Sequence, residues 1–103
     1  MGLQLRPNCE LCDKDLPPGA TNAFICSYEC TFCADCVADV LHNVCPNCGG
    51  GFAPRPIRPA DAWRPQTGLT FDPPDIVRRH AKFSRDEIRA FAAGLEGRLP
   101  VER

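Results

Sequence analysis

The sequence predicts a small metal-stabilised α+β fold: one short helix and a small hairpin, followed by a Pro-rich extended segment and a C-terminal helix. Three observations lead there. All eight cysteines fall between positions 9 and 48, and the 55 residues after Cys48 contain none. The thiols are spaced Cys-x2-Cys-x13-Cys-x3-Cys-x2-Cys-x2-Cys-x8-Cys-x2-Cys, with Cys26, Cys30, Cys33 and Cys36 forming a central hub. The cysteine-rich half is also too short to stand on a hydrophobic core alone, because domains under roughly 70 residues need a staple.

The staple is metal rather than disulfide. A disulfide framework requires an oxidising compartment. No long apolar stretch precedes Cys9, so no secretory signal is expected, and no run of about 18 apolar residues predicts a membrane span. Gly2 is not expected to carry a myristoyl group, since Arg6 stands where Ser or Thr is wanted. The expectation is a cytoplasmic protein whose thiols stay reduced, where paired Cys-x2-Cys units hold zinc, two ions per chain. Net charge is −1 but divided. Residues 1–51 carry two basic against six acidic side chains, and residues 52–103 carry ten against seven. Eight thiolates around two zinc ions make the first half more negative still. That half is a poor phosphate binder, a role that depends on clustered Lys and Arg, so a nucleic-acid partner is not expected.

Taken in order, residues 1–8 form a short lead in which Leu3 and Leu5 alternate as a brief strand or a loose terminus. Cys9-Glu10-Leu11-Cys12 reads as a zinc knuckle, two thiolates turned onto one tetrahedral ion, and Pro17-Pro18-Gly19 breaks the chain. Ala23-Phe24-Ile25 is one arm of a hairpin around Tyr28. From Cys33 onward Val37, Val40, Leu41 and Val44 follow helical spacing, which puts Cys33 and Cys36 at a helix start, where the dipole favours thiolates. Cys45-Pro46-Asn47-Cys48 is a second knuckle, released by Gly49-Gly50-Gly51. The domain boundaries follow as 1–51 for the two-zinc unit, 52–75 for the Pro-rich segment and 76–103 for the helical segment.

Six prolines between Phe52 and Asp75 argue for an extended, semi-rigid chain. Trp63, the single tryptophan, is read first as packing back on the zinc unit. Its second reading is an anchor for a partner. Asp72-Pro73-Pro74-Asp75 is expected to open a short helix. Ser84-x-x-Glu87 is a capping box, with Phe83 and Ile88 as a hydrophobic staple. Ile88, Phe91, Ala92, Leu95 and Leu99 line one face of that helix, which is weak alone and needs a surface, whether the zinc unit, a second copy in a homo-oligomer or another protein. Arg78, Arg79, Lys82, Arg85 and Arg89 form a basic cluster. It is read as a solvated face or as a contact for an acidic partner, the chain's own first half included. His42 reads as a helix C-terminal cation and His80 as solvated.

A knuckle, a hairpin and two ligands on a helix's first turn resemble a treble clef. The resemblance pairs Cys9 and Cys12 with Cys33 and Cys36 in a first site, leaving Cys26, Cys30, Cys45 and Cys48 for a second. Two tandem fingers, built from the first four and the last four cysteines, are the alternative. The spacing over residues 9–48 resembles RING-type cross-brace zinc domains, as do Leu11 inside the first knuckle, Phe32 before the fifth ligand and Cys45-Pro46-x-Cys48. That resemblance implies a groove of Leu11, Val40 or Leu41, and Pro46 for a ubiquitin-conjugating enzyme. The chain departs from it at Cys30, where most RING domains have His, and at Gly49, where active ligases often carry a basic residue. Over residues 3–58, the stretch Leu5-Arg6-Pro7-Asn8-Cys9-Glu10 through Pro18, the hub and Cys45-Pro46-Asn47-Cys48-Gly49-Gly50 also resemble a family of small bacterial cysteine-rich proteins with a domain of unknown function.

Two closed four-thiolate sites leave no open coordination position, which catalytic zinc keeps. The expected function is therefore a non-catalytic protein-interaction module, an adaptor or regulatory subunit. Its candidate contacts are Leu11, Val40, Leu41, Pro46, Trp63, Arg78, Arg79, Ile88, Phe91 and Leu95. The alternatives are a RING-type ligase subunit and a thiol-based redox or zinc sensor. A zinc deaminase is not expected, because neither histidine begins His-x-Glu.

Overall fold

The computed structural model describes residues 2–103. Its first ordered unit is a hairpin. Strand β1 (Ala23–Ile25) pairs antiparallel with β2 (Thr31–Cys33), with Phe24 opposite Phe32. The turn between them contains Cys26 and Cys30 and closes through Glu29, whose φ is 67°. A third strand, β3 (Ala53–Pro54), adds to the other edge of β1, giving the order β2-β1-β3. Pro54 can stand there because an edge strand does not need every amide. The sheet's apolar centre is Phe32, which is fully buried and meets Phe52 edge-to-face at 5.5 Å.

Helix α1 (Ala34–Cys36) starts directly at the end of β2 and widens into a π-helical turn, Val37–Leu41. The wide turn ends abruptly because His42 and Asn43 both take left-handed φ values, 47° and 62°. Val40, Leu41 and Val44 are buried, so the helically spaced apolar positions point to the core as their periodicity requires, although the regular helix lasts less than two turns.

The second half wraps the first. Arg55, only 4% exposed, donates to the carbonyls of Arg6, Leu16 and Pro17, and Arg58 donates to those of Leu3 and Asp72. These guanidinium clamps fix the Pro-rich segment, whose own chain offers few amides to do so. A single helical turn, α2 (Gly68–Phe71), precedes the Asp72–Asp75 stretch. The helix expected to open at Asp72 is therefore not formed. Residues 75–81 are extended along the first knuckle, and α3 (Arg85–Leu95) follows. Its capping box is complete: Ser84 Oγ accepts from the Glu87 amide at 3.1 Å and Glu87 Oε1 from the Ser84 amide at 2.9 Å. Ile88 and Ala92 are each 1% exposed, and Ile88 joins the core of Phe32 and Leu41. The helix stops at Leu95, so Leu99 lies beyond it and is exposed, and a 3₁₀ turn (Pro100–Glu102) closes the chain. Leu3 and Leu5 form no strand; Leu5 is buried and its carbonyl accepts from the Asp75 amide at 3.1 Å.

Candidate metal centres

Six of the eight cysteines stand on three turns of related construction. In the first knuckle the Cys9 carbonyl accepts from the Asp13 amide at 2.9 Å, the Cys9 amide donates to the Lys14 carbonyl at 2.8 Å, and Asp13 has φ 66°. In the last, the Cys45 carbonyl accepts from the Gly49 amide at 2.7 Å, the Cys45 amide donates to the Gly50 carbonyl at 2.8 Å, and Gly49 has φ 80°. The two are the same turn, set on different cysteines. The hairpin turn is one residue shorter: the Cys26 carbonyl accepts from Glu29, and the Cys26 amide donates to Cys30. In each, the first sulfur receives an amide two residues on. The Tyr28 amide lies 3.4 Å from Cys26 Sγ, while the Leu11 and Asn47 amides hydrogen-bond Cys9 and Cys45. The Gly50 amide likewise points at Cys48 Sγ from 3.4 Å. Amides aimed at sulfur stabilise the thiolate form.

These turns gather two thiol clusters. Cys9, Cys12, Cys33 and Cys36 have all four sulfurs within 4.8 Å of one another. Two of them come from the knuckle, one from the end of β2 and one from α1. Cys26, Cys45 and Cys48 form the second group within the same limit. Cys30, buried on the hairpin turn, lies beside it, close enough for Cys45, Asn47 and Cys26 to shift its thiol. Both clusters could hold a metal ion. All eight cysteines are free, and Cys12 Sγ stands 3.7 Å from Cys33 Sγ. A disulfide requires about 2.05 Å, whereas ligands about 2.3 Å from a tetrahedral zinc ion are separated by about 3.8 Å. The donor set and its spacing fit zinc.

Crowding also sets the charge these thiols can carry. The Cys45 thiol's hydrogen bond pulls Cys30 down to about 5, and the same bond, with burial, pushes Cys45 up. Burial pushes Cys26 up to about 11. Burial, then the charge on Cys9, pushes Cys36 up. Thiolates packed this closely repel one another, so full ionisation of either cluster requires a cation among them.

The candidate contact residues fall in different places. Pro46, Ile88 and Phe91 line one cavity of about 300 Å³ with Phe83 and Glu87. Leu95 reaches Gly49, where an added Cβ would stand 3.3 Å from Leu95 Cδ1. Val40 and Leu41 are buried, and Leu11 is half-buried against the core. Trp63 does not pack back; it is 78% exposed, because the arginine clamps fix the flanking chain without it. Arg78 bridges Asp13 and Asp15 at 2.8 and 2.7 Å, while Arg79 pairs with Asp75 at 2.8 Å. His80 is not simply solvated: its Nε2 lies 3.2 Å from Asp13 Oδ1. The sequence reading missed Asn8, Asp13 and Asp15 as contact residues and Arg55 as a clamp. Only the acidic excess of the first half pointed toward the aspartates.

A family model described as a protein of unknown function (DUF1272) matches residues 2–58. An uncharacterized protein of Rhizobium meliloti (strain 1021) is 60% identical over 58 residues, which is 56% of this chain and 69% of the relative. No solved structure matches the chain. Among the described residues no helix is long and apolar enough to cross a membrane.

Proposed function

The chain belongs to the DUF1272 family of proteins of unknown function, and from that premise we propose that it is a non-catalytic zinc-binding module that works by contact with another protein, as an adaptor or regulatory subunit. Cys9, Cys12, Cys33 and Cys36 hold one zinc ion. Cys26, Cys30, Cys45 and Cys48 hold the other, in the interleaved order of a RING-like cross-brace. The observation that carries the reading is the first cluster: four free thiols, far apart in sequence, within 4.8 Å of one another. Four thiolates saturate a tetrahedral ion, so its chemistry is structural, and a reducing cytoplasm is where such thiols persist. The ligase alternative draws no support from this geometry, since Pro46, Val40 and Leu41 are buried and α3 lies over Pro46.

Native mass spectrometry of the intact chain and of single Cys→Ser variants tests the reading. Two zinc ions per chain are expected, with Cys12→Ser and Cys33→Ser losing the same ion and Cys26→Ser and Cys48→Ser losing the other. A single ion, or four disulfides in protein prepared under reducing conditions, overturns it.

A second reading has one observation in its favour. Cys12 and Cys48 are both exposed, one in each cluster, but an open pocket of about 480 Å³ lined by Tyr28, Cys30, Asn47 and Cys48 also admits solvent to the second cluster. A thiol-based sensor would lose that ion to mild peroxide faster than the first ion, and equal loss rates would remove this reading.

A further inference from the structure

The zinc half holds residues 75–95 as a receptor holds a peptide. Asn8, fully buried, uses both ends of its amide on a single residue of the extended segment: Nδ2 donates to the Arg79 carbonyl at 2.8 Å, and Oδ1 accepts from the Arg79 amide at 3.2 Å. Two further main-chain bonds flank it, from the Asp75 amide to the Leu5 carbonyl and from the Ala81 amide to the Glu10 carbonyl at 2.6 Å. Such contacts read an extended backbone without regard to its side chains. Specificity comes from pockets beside them. One such contact is acidic and lies at the surface: Arg78 bonds to Asp13 and Asp15. The next is apolar: after the Ser84 cap, α3 lays Ile88 and Phe91 over Pro46 and leaves a cavity of about 300 Å³ that the helix does not fill. Asn8, Asp13, Asp15 and Pro46 all lie inside the stretch matched by the family model, residues 2–58, and the whole strap lies outside it.

We propose that the Asn8 amide, the exposed Asp13–Asp15 pair and the Pro46 groove together form a binding site for a partner segment of one chemistry. That segment is an extended stretch carrying a basic residue, followed by an amphipathic helix, and the chain's own strap fills the site as a tethered competitor. The inference rests on the proposed protein-contact function and names its partner. Charge complementarity supports it, because the zinc half carries an excess of four acidic side chains and its two thiolate-bound ions add negative charge. A tether of this length holds the strap at an effective concentration on the order of millimolar. An external segment therefore competes only when it binds more tightly or when the strap is weakened.

The test uses a fluorescein-labelled synthetic peptide of residues 74–96 and the full-length chain, with fluorescence anisotropy and metal content read together. Arg78→Glu and Phe91→Asp, made separately, weaken the strap at its two ends; Phe91 lines the groove and is 44% exposed. Each variant is expected to retain two zinc ions and to bind the peptide at least tenfold more tightly than the unaltered chain. Adding Asp13→Lys and Asp15→Lys to either variant is expected to abolish that gain. Retention of both ions with no gain in peptide affinity in either variant overturns the proposal. So does loss of zinc from both, which would make the strap part of the metal fold; two ions in the unaltered chain would then leave the zinc-module reading standing.

Discussion

The two cysteine clusters use nearly the same turns and reach different degrees of completeness. In the first, the Cys9 knuckle faces Cys33 at the end of a paired strand and Cys36 on the helix that follows, so sheet and helix fix half of the ligands before any ion arrives. All four sulfurs converge. In the second, every thiol sits on a turn. Cys30 belongs to the hairpin turn and Cys48 to the outer end of the last knuckle, and these two lie on an open pocket. A site carried by regular elements is preorganised; one carried by turns depends more on any ion it binds. That difference makes the first cluster the centre of the fold and the second a closure between the hairpin and the knuckle.

The largest expected effect would break this ordering most directly. Each structural zinc supplies on the order of 10 kcal/mol, a figure comparable to the whole stability of a domain this small. Cys36→Ser should therefore abolish cooperative unfolding and the dispersed amide spectrum. Cys48→Ser should lose one ion while the β1–β2 hairpin and the first ion persist. Metal content and a proton–nitrogen correlation spectrum of the two variants decide the matter. Equal collapse in both would show that the clusters form one inseparable unit.

A smaller effect sharpens the comparison by touching only the first cluster. Arg55 holds the carbonyls of Arg6, Leu16 and Pro17, which flank the Cys9 knuckle. Arg55→Ala leaves those carbonyls without that partner and removes charge-assisted bonds, a loss of about 3 kcal/mol. Zinc transfer to a chelator should accelerate from the first site and stay unchanged at the second, read by which Cys→Ser background abolishes the fast phase. Acceleration at both sites would mean that Arg55 serves the whole fold.

Much of this architecture was legible in the chain. Cys-x2-Cys spacing is dictated by the ion, so the knuckles could be seen without a fold, and the capping box at Ser84 is written in two residues whose partners lie three apart. The hub's division was harder. Cys26, Cys30, Cys33 and Cys36 are regularly spaced, and only the hairpin, which turns β2 back beside β1, sends the first two one way and the last two the other. Trp63 misled because a lone tryptophan is usually buried, whereas buried Arg55 and half-buried Arg58 take over the anchoring. The strap's path was legible only in its charge, Arg78 meeting the acidic first half, and the rest was hidden for a related reason. Asn8 reads main chain, and a main-chain contact leaves no pattern in the side chains it meets.

The smallest effect compares the two equivalent knuckles at one position. Asp13 and Gly49 hold the same left-handed place after the second cysteine, with φ values of 66° and 80°. An aspartate is among the side chains that accept this conformation, and at Asp13 its carboxylate is held by Arg78 and His80. At position 49 the space is tighter: a Cβ would lie 3.3 Å from Leu95 Cδ1, which would have to give by a few tenths of an ångström, and in ordinary contact with Phe91 Cζ at 3.7 Å, under the docked helix. Gly49→Ala should therefore cost about 1–2 kcal/mol in left-handed strain. The helix contact has to yield as well, so α3 should exchange its amide hydrogens faster while the first knuckle does not. Asp13→Gly keeps the left-handed turn and removes the side chain with its carboxylate, so its amide exchange should rise along residues 75–81 and not in α3. If Gly49→Ala leaves α3 protected and the melting temperature unmoved, the helix does not press on the last knuckle, and the second cluster closes without it.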